Sequence, residues 1–301
     1  MYTRMLIPLD GSKTAEKVLP YARTLAEALK VPVELLEVID IAEMAAHIPA
    51  EKARYLDTMI EERARGSEEY LKGVAKTFPG ISVRCAVEKG RVEEVIIGKA
   101  EADPGTLIAV ATHGRSGINR WLLGSVAEKV LRGTANPLLL TRGAHEVKTE
   151  GEATLKSVIV PLDGSELAES VLPAVVEIAK KLNLEITLFR AYNIPYSAYG
   201  GGDGYYGIDF NELIAVMRDE AREYLEQKKA ELKKQGLEKV SYISKEGFSA
   251  DQIISLGRNT PDNLIAMCTH GRSGVKRWVL GSVTETVVRH SGDPVLVLRP
   301  A

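Results

Sequence analysis

Short apolar runs alternate along the chain with longer stretches in which apolar residues recur every three or four positions. Arg4–Leu9 and Val33–Ile39 read as strands, and the segment from Lys13 to Lys30 between them reads as an amphipathic helix that Ser12 can cap. A crossover and a long helix ending near Phe78 follow. Ser82–Val87 is then a strand, Val92–Ala102 a helix, Thr106–Ala111 a strand, Ser125–Arg132 a helix and Leu138–Thr141 a last strand. The same order returns from Lys156 to Arg299. Strands alternating with helices require a parallel sheet covered on both faces, because each crossover is right-handed. In such sheets ligands sit beyond the carboxyl ends of the strands, where the strand order reverses. That places Asp10 and the loop from Ala111 to Gly124 at one crevice, and Asp163 and the loop from Cys268 to Gly281 at a second.

The two halves share more than their pattern. Thr112-His113-Gly114-Arg115-Ser116-Gly117 returns letter for letter as Thr269-His270-Gly271-Arg272-Ser273-Gly274. Arg120-Trp121 and Leu123-Gly124-Ser125-Val126 return as Arg277-Trp278 and Leu280-Gly281-Ser282-Val283. Near the start, Pro8-Leu9-Asp10-Gly11-Ser12 answers Pro161-Leu162-Asp163-Gly164-Ser165. The period is far longer than the 20–50 residues of solenoid repeats, so a whole domain is duplicated. The expected organisation is one domain over residues 1–143, a polar linker over 144–154, and a second domain over 155–301.

Composition narrows the function. With 301 residues, 45% hydrophobic and 27% charged, each half can bury its own core. A net charge of −2 without a basic stripe argues against a nucleic-acid partner. No apolar run reaches membrane-span length, and Met1-Tyr2-Thr3-Arg4 leads straight into a strand rather than a signal peptide. Cys85 and Cys268 stand at non-equivalent places, which argues against a disulfide framework and fits a reducing cytoplasm.

The repeated loop carries the candidate chemistry. Gly114, Gly117 and Gly124 allow positive φ and close backbone approach, and a helix opening at Ser125 directs unpaired N–H groups at the same space. Such a helix start favours an anion, and phosphate is a natural occupant. Ser125 adds a hydroxyl, and Arg115 a charged donor if it turns inward. The plainer alternative is that the glycines only permit a tight loop and Ser125 only caps a helix. His113 and His270 lack a nucleophile or metal-spaced partner, so ordering of the loop is the favoured role. Trp121 and Trp278 can stack on a base or pack as anchors, packing being favoured. Gly202-Asp203-Gly204-Tyr205-Tyr206-Gly207 has the letters of a dinucleotide loop but lies well beyond its strand, and there is no Walker A sequence.

These motifs resemble those of the universal stress protein family, and the resemblance runs nearly end to end through both halves. Gly114, nine residues, then Gly124-Ser125 fits the latter part of the family's ATP-binding pattern, as does Gly271, nine residues, then Gly281-Ser282. The resemblance implies two tandem doubly wound α/β domains of the adenine nucleotide alpha hydrolase-like, Rossmann-like kind. Each would have a five-stranded parallel sheet, and the two would pair as a pseudo-dimer through the last strands Leu138–Thr141 and Val295–Arg299. It further implies bound ATP, ADP or AMP, with Mg²⁺ or Mn²⁺ held through the phosphates. Asp10 and Asp163 would lie by the adenosine and Val38 and Ala191 by the adenine. The implied first site comprises Pro8, Leu9, Asp10, Val38, Val110, Ala111, His113, Gly114, Arg115, Gly117, Gly124, Ser125 and Val126. The second comprises Pro161, Leu162, Asp163, Ala191, Met267, Cys268, His270, Gly271, Arg272, Gly274, Gly281, Ser282 and Val283. One departure stands out: the family's first glycine falls at Ala111 and Cys268, and the bulkier Cys268 is expected to crowd the second site and leave the first one tighter. The implied role is regulation or protection under stress with no catalytic residue, against the alternatives of a slow ATPase, an adenylate-transferring enzyme or a non-binding dimerisation module. Further pairing of whole chains is left open.

Overall fold

The computed structural model describes residues 2–112, 123–142, 151–193, 210–269 and 280–299. The first half runs β1 (Arg4–Pro8), α1 (Leu19–Leu29), β2 (Val33–Ile39), α2 (Ile41–Ala46), α3 (Leu56–Ala75), β3 (Val83–Lys89), α4 (Val92–Glu101), β4 (Thr106–Ala111), α5 (Ser125–Gly133) and β5 (Leu138–Thr141). The second runs β6 (Ser157–Pro161), α6 (Glu166–Glu169), α7 (Leu172–Leu182), β7 (Glu185–Tyr192), α8 (Phe210–Lys234), β8 (Val240–Glu246), α9 (Ser249–Arg258), β9 (Asn263–Cys268), α10 (Ser282–His290) and β10 (Val295–Leu298).

The helix expected from Lys13 divides. A 3-10 turn covers Ala15–Val18, and α1 begins only at Leu19 with Pro20 in its first turn. Proline has no N–H to give and its φ is already helical, so it starts a helix better than it continues one. Ser12 still caps locally: its hydroxyl accepts the Ala15 N–H at 3.1 Å. The crossover after β2 also holds structure. Asp40 accepts the Glu43 N–H at 3.0 Å and caps α2, and a 3-10 turn spans Ala50–Tyr55.

The strands form one sheet in the order β3-β2-β1-β4-β5-β10-β9-β6-β7-β8. Every neighbouring pair is parallel except β5 and β10, which meet antiparallel with Leu139 opposite Leu296. The two five-stranded units thus become ten strands, and each removes the other's unpaired edge. Side chains alternate across the sheet. Met5, Ile7, Leu107 and Ala109 face α1 and α3, and Val158, Val160 and Leu264 face α7 and α8. Leu6, Ile108 and Val110 face α4 and α5, and Ile159, Ile265 and Met267 face α9 and α10. With helices on both faces β4 and β9 are buried along their whole length, and only their first residues, Thr106 and Asn263, are polar.

The seam between the halves is closed on both faces. On one side α1 packs against α7. On the other, Arg132 reaches Glu285 and Arg289 reaches Glu128, while each arginine also holds the glutamate of its own helix. The chain entering the second half is pinned to the first: Thr24 donates to the Ala153 carbonyl at 2.8 Å, and Arg23 to that of Gly151.

Candidate functional site

In each half the strand order reverses between the central strand and its neighbour on the seam side, between β1 and β4 and between β6 and β9. Beyond the carboxyl ends of β1, β2 and β4 lies a cleft of about 590 Å³, within the range of small-molecule sites. Asp10 stands there, two residues past the end of β1. Its Oδ1 accepts the Ser12 N–H at 2.9 Å, and Gly11 turns the chain at φ 79°, a conformation that a side chain would strain. The second half repeats this with Asp163, which accepts from the Ser165 N–H at 2.9 Å and hydroxyl at 2.7 Å, and with Gly164 at φ 88°.

The start of α5 forms the opposite wall. Gly124 is its N-cap at φ −55° and ψ 140°, so this glycine does not use the positive φ expected of it. Its N–H is taken by the Thr112 carbonyl, closing the strand-to-helix turn, and its carbonyl accepts the Glu128 N–H at 2.9 Å. Gly281 does the same for α10, donating to Thr269 at 2.8 Å. Neither cap supplies a side-chain acceptor, so the amide end of α5 at Ser125, Val126 and Ala127 is presented to the cleft those residues line. An uncapped helix start carries partial positive charge and suits an anion.

Of the residues named from sequence, Pro8, Leu9, Asp10, Val38, Val110, Ala111, Gly124, Ser125 and Val126 all line this one cleft. His113, Gly114, Arg115, Gly117, His270, Gly271, Arg272, Gly274, Trp121, Trp278 and the 202–207 run lie outside the described residues. In the second half, Asp163, Ala191, Ser282 and Val283 line a cavity of about 530 Å³, whereas Pro161, Leu162, Met267, Cys268 and Gly281 do not. The Cys268 thiol contacts the Ser170 hydroxyl at 3.0 Å and the Ala168 carbonyl at 3.7 Å, whereas its counterpart Ala111 lines the first cleft. Burial pushes this thiol above its usual range despite the Ser170 hydrogen bond.

The profile of the universal stress protein family matches residues 1–142 and again residues 154–299. The chain belongs to the universal stress protein family. A universal stress protein of Methanocaldococcus jannaschii is 30% identical over 158 residues, covering 52% of this chain and 88% of that protein. One from Mycolicibacterium smegmatis is 21% identical over 310 residues, covering 98% of this chain and 97% of its own. Among solved structures, a universal stress protein from Archaeoglobus fulgidus superposes with a TM-score of 0.68 at 25% identity, covering 99% of this chain and 98% of that one. The Mycolicibacterium smegmatis and Archaeoglobus fulgidus proteins match this universal stress protein over both of its halves.

Several cleft residues escaped the sequence. Glu37, Asp40, Glu43, Met44, His47 and Arg63 also line the first cleft. Glu37, only 2% exposed, is ion-paired with Arg63 from α3. Arg190, Tyr192, Met217 and the 72% exposed Phe248 line the second. Strand ends next to Val38 and Ala191 were a readable signal for Glu37 and Arg190; nothing local marks Arg63, Met217 or Phe248. Among the described residues no group of acidic, histidine or cysteine side chains is arranged to hold a metal ion, and no helix is long and apolar enough to cross a membrane.

Proposed function

We propose that this universal stress protein holds adenine nucleotide, ATP or its close relatives, as a cytoplasmic regulatory or protective protein rather than as a fast enzyme. The units holding it are residues 1–143 and 155–301, joined by 144–154. The observation carrying this reading is the convergence of Asp10, Val38, Ala111 and the start of α5 on one cleft of about 590 Å³. In this reading Asp10 takes the ribose side and Val38 flanks the base. The α5 amides and the Ser125 hydroxyl hold phosphates, which would carry Mg²⁺ or Mn²⁺ with them. Micromolar affinity needs about 8 kcal/mol, within reach of a base pocket joined to a phosphate cradle.

The test uses the full chain. Protein purified, denatured and chromatographed should release adenine nucleotide, and stripped protein should bind ATP in isothermal titration. Ser125→Asp places a carboxylate where phosphate is expected, at a helix start that tolerates it structurally. It should remove the first site, weakening it by tenfold or more, with an unchanged circular dichroism spectrum. Ser282→Asp should do the same for the second. Absence of both released nucleotide and binding heat in the unaltered protein would sink the reading. ADP accumulating over many turnovers would move the assignment to an enzyme.

A further inference from the structure

The two clefts share a frame but differ at one wall. Leu9 donates to Leu36 and Leu162 to Phe189, each at 2.8 Å, so Glu37 and Arg190, the next residues along their strands, are counterparts. The helices behind them are also in step: Tyr70 donates to Glu16 at 3.0 Å and Tyr224 to Glu169 at 2.8 Å. Two turns before each tyrosine stand Arg63 and Met217, both lining their clefts. Where the first half has an acid paired with an arginine, the second has Arg190 and Met217 lining its cavity.

The exchange alters what each wall can recognise. In the first cleft Glu37 and Arg63 are bound to each other, and Asp10, Asp40 and Glu43 add carboxylates that accept hydrogen bonds from hydroxyls and oppose a phosphate placed beside them. In the second, Arg190 is the only cation among the described lining residues, against Asp163 and Glu220. Its guanidinium lies over the Tyr224 ring, 4.9 Å from the centroid. Stacking uses the face of the guanidinium, while its N–H donors lie in the plane and match the oxygens of a phosphate in pairs. Where nucleotide-binding sheets read a ribose from the end of the second strand, an acidic residue takes free hydroxyls and an arginine takes a ribose phosphate. Arg190 and Asp163, the aspartate assigned to the ribose, line the same cavity.

We propose that the second cleft selects an adenine nucleotide bearing a phosphate monoester on its ribose, with Arg190 as the specificity-determining residue, while the first selects the unmodified ribose. This rests on the nucleotide reading above. Isothermal titration of the full chain carrying Ser125→Asp isolates the second cleft, with AMP, adenosine 2′,5′-bisphosphate and adenosine 3′,5′-bisphosphate as probes. At least one bisphosphate should bind about tenfold tighter than AMP, as expected for a charge-assisted hydrogen-bonded contact. Adding Arg190→Glu with Met217→Arg, which installs the first half's own ion pair and so guards the fold, should abolish that preference and leave AMP binding in place. Conversely, Glu37→Arg with Arg63→Met in a Ser282→Asp background should give the first cleft the preference. Equal affinity for all three probes, or a preference that survives the exchange, overturns the proposal while the nucleotide reading stands. Binding of none of them by either single-cleft protein overturns both.

Discussion

Tyr70 and Tyr224 each sit beneath a cleft with the hydroxyl donated to a glutamate, Glu16 or Glu169. Burial is the main reason both phenols are pushed far above their ordinary range, and the neighbouring carboxylates add to it. Tyr2 is raised mainly by burial as well. The sign for stability follows from proton counting. Below about pH 10, tyrosine is protonated in both folded and unfolded chains and the advantage is complete. Above it the unfolded chain releases protons that the folded chain retains, so stability falls as pH rises toward the folded-state values. Urea midpoints should therefore stay level with respect to these groups up to about pH 10 and decline beyond it. A Tyr70→Phe, Tyr224→Phe protein should show a shallower decline, since only Tyr2 of the three remains. Midpoints falling in parallel for both proteins would refute this account. At the same scale, the clefts were legible where one residue type carries its own chemistry. Asp10-Gly11-Ser12 and Gly124-Ser125 declare a turn and a helix start, and the repeat declares them twice. The pairing of Glu37 with Arg63 was not legible, because the partners come from different elements and only the packing of α3 against β2 unites them.

α1 and α7 end in the same way and with unequal ease. Lys30 adopts φ 56° and ψ 44° at the end of α1, and Asn183 adopts φ 54° and ψ 41° at the end of α7. This left-handed conformation strains a long side chain, is tolerated by asparagine and is free for glycine. Lys30→Gly should stabilise the protein by about 0.5–1 kcal/mol after the greater freedom of glycine in the unfolded chain is set against it, and Lys30→Asn by less. Urea unfolding with an unchanged slope is the measurement; a lower midpoint for Lys30→Gly would contradict it. Elements, too, were unevenly readable. β2, β4 and β5 fall where the apolar runs place them, because strands covered on both faces are mostly apolar, the buried Glu34 and Glu37 of β2 being ion-paired. α2 has no buried residue, so nothing in its hydrophobic pattern announces it, and only the Asp40 cap marks its start. The split before α1 hinges on Pro20, whose geometry outweighs the amphipathic pattern running through it.

At the scale of the molecule, the seam has the geometry of a two-fold dimer written into one chain. Val295 pairs with Leu140, Leu296 with Leu139 and Val297 with Leu138, a register centred on the Leu139–Leu296 pair. Leu296 is also the repeat counterpart of Leu139, so exchanging the halves leaves the pairing unchanged. The ion pairs obey the same symmetry, since Arg132 with Glu285 mirrors Arg289 with Glu128. An interface made of the same surface on both sides can be formed by two copies of either half. A fragment of residues 1–142 would otherwise leave Leu138–Thr141 as an unpaired edge, with side chains that are buried in the whole chain. It should therefore sediment as a dimer at micromolar concentration, with Leu139 of one copy opposite Leu139 of the other. Leu139→Lys puts two charges at the centre of that pairing and should yield a monomer or an insoluble product. The ion pairs are partly exposed and should add only about 0.2–1 kcal/mol each, so Arg132→Ala should loosen the fragment dimer without abolishing it. A folded fragment that stays monomeric at all concentrations would mean that the halves are held together by their covalent connection and by α1 against α7, rather than by the strands.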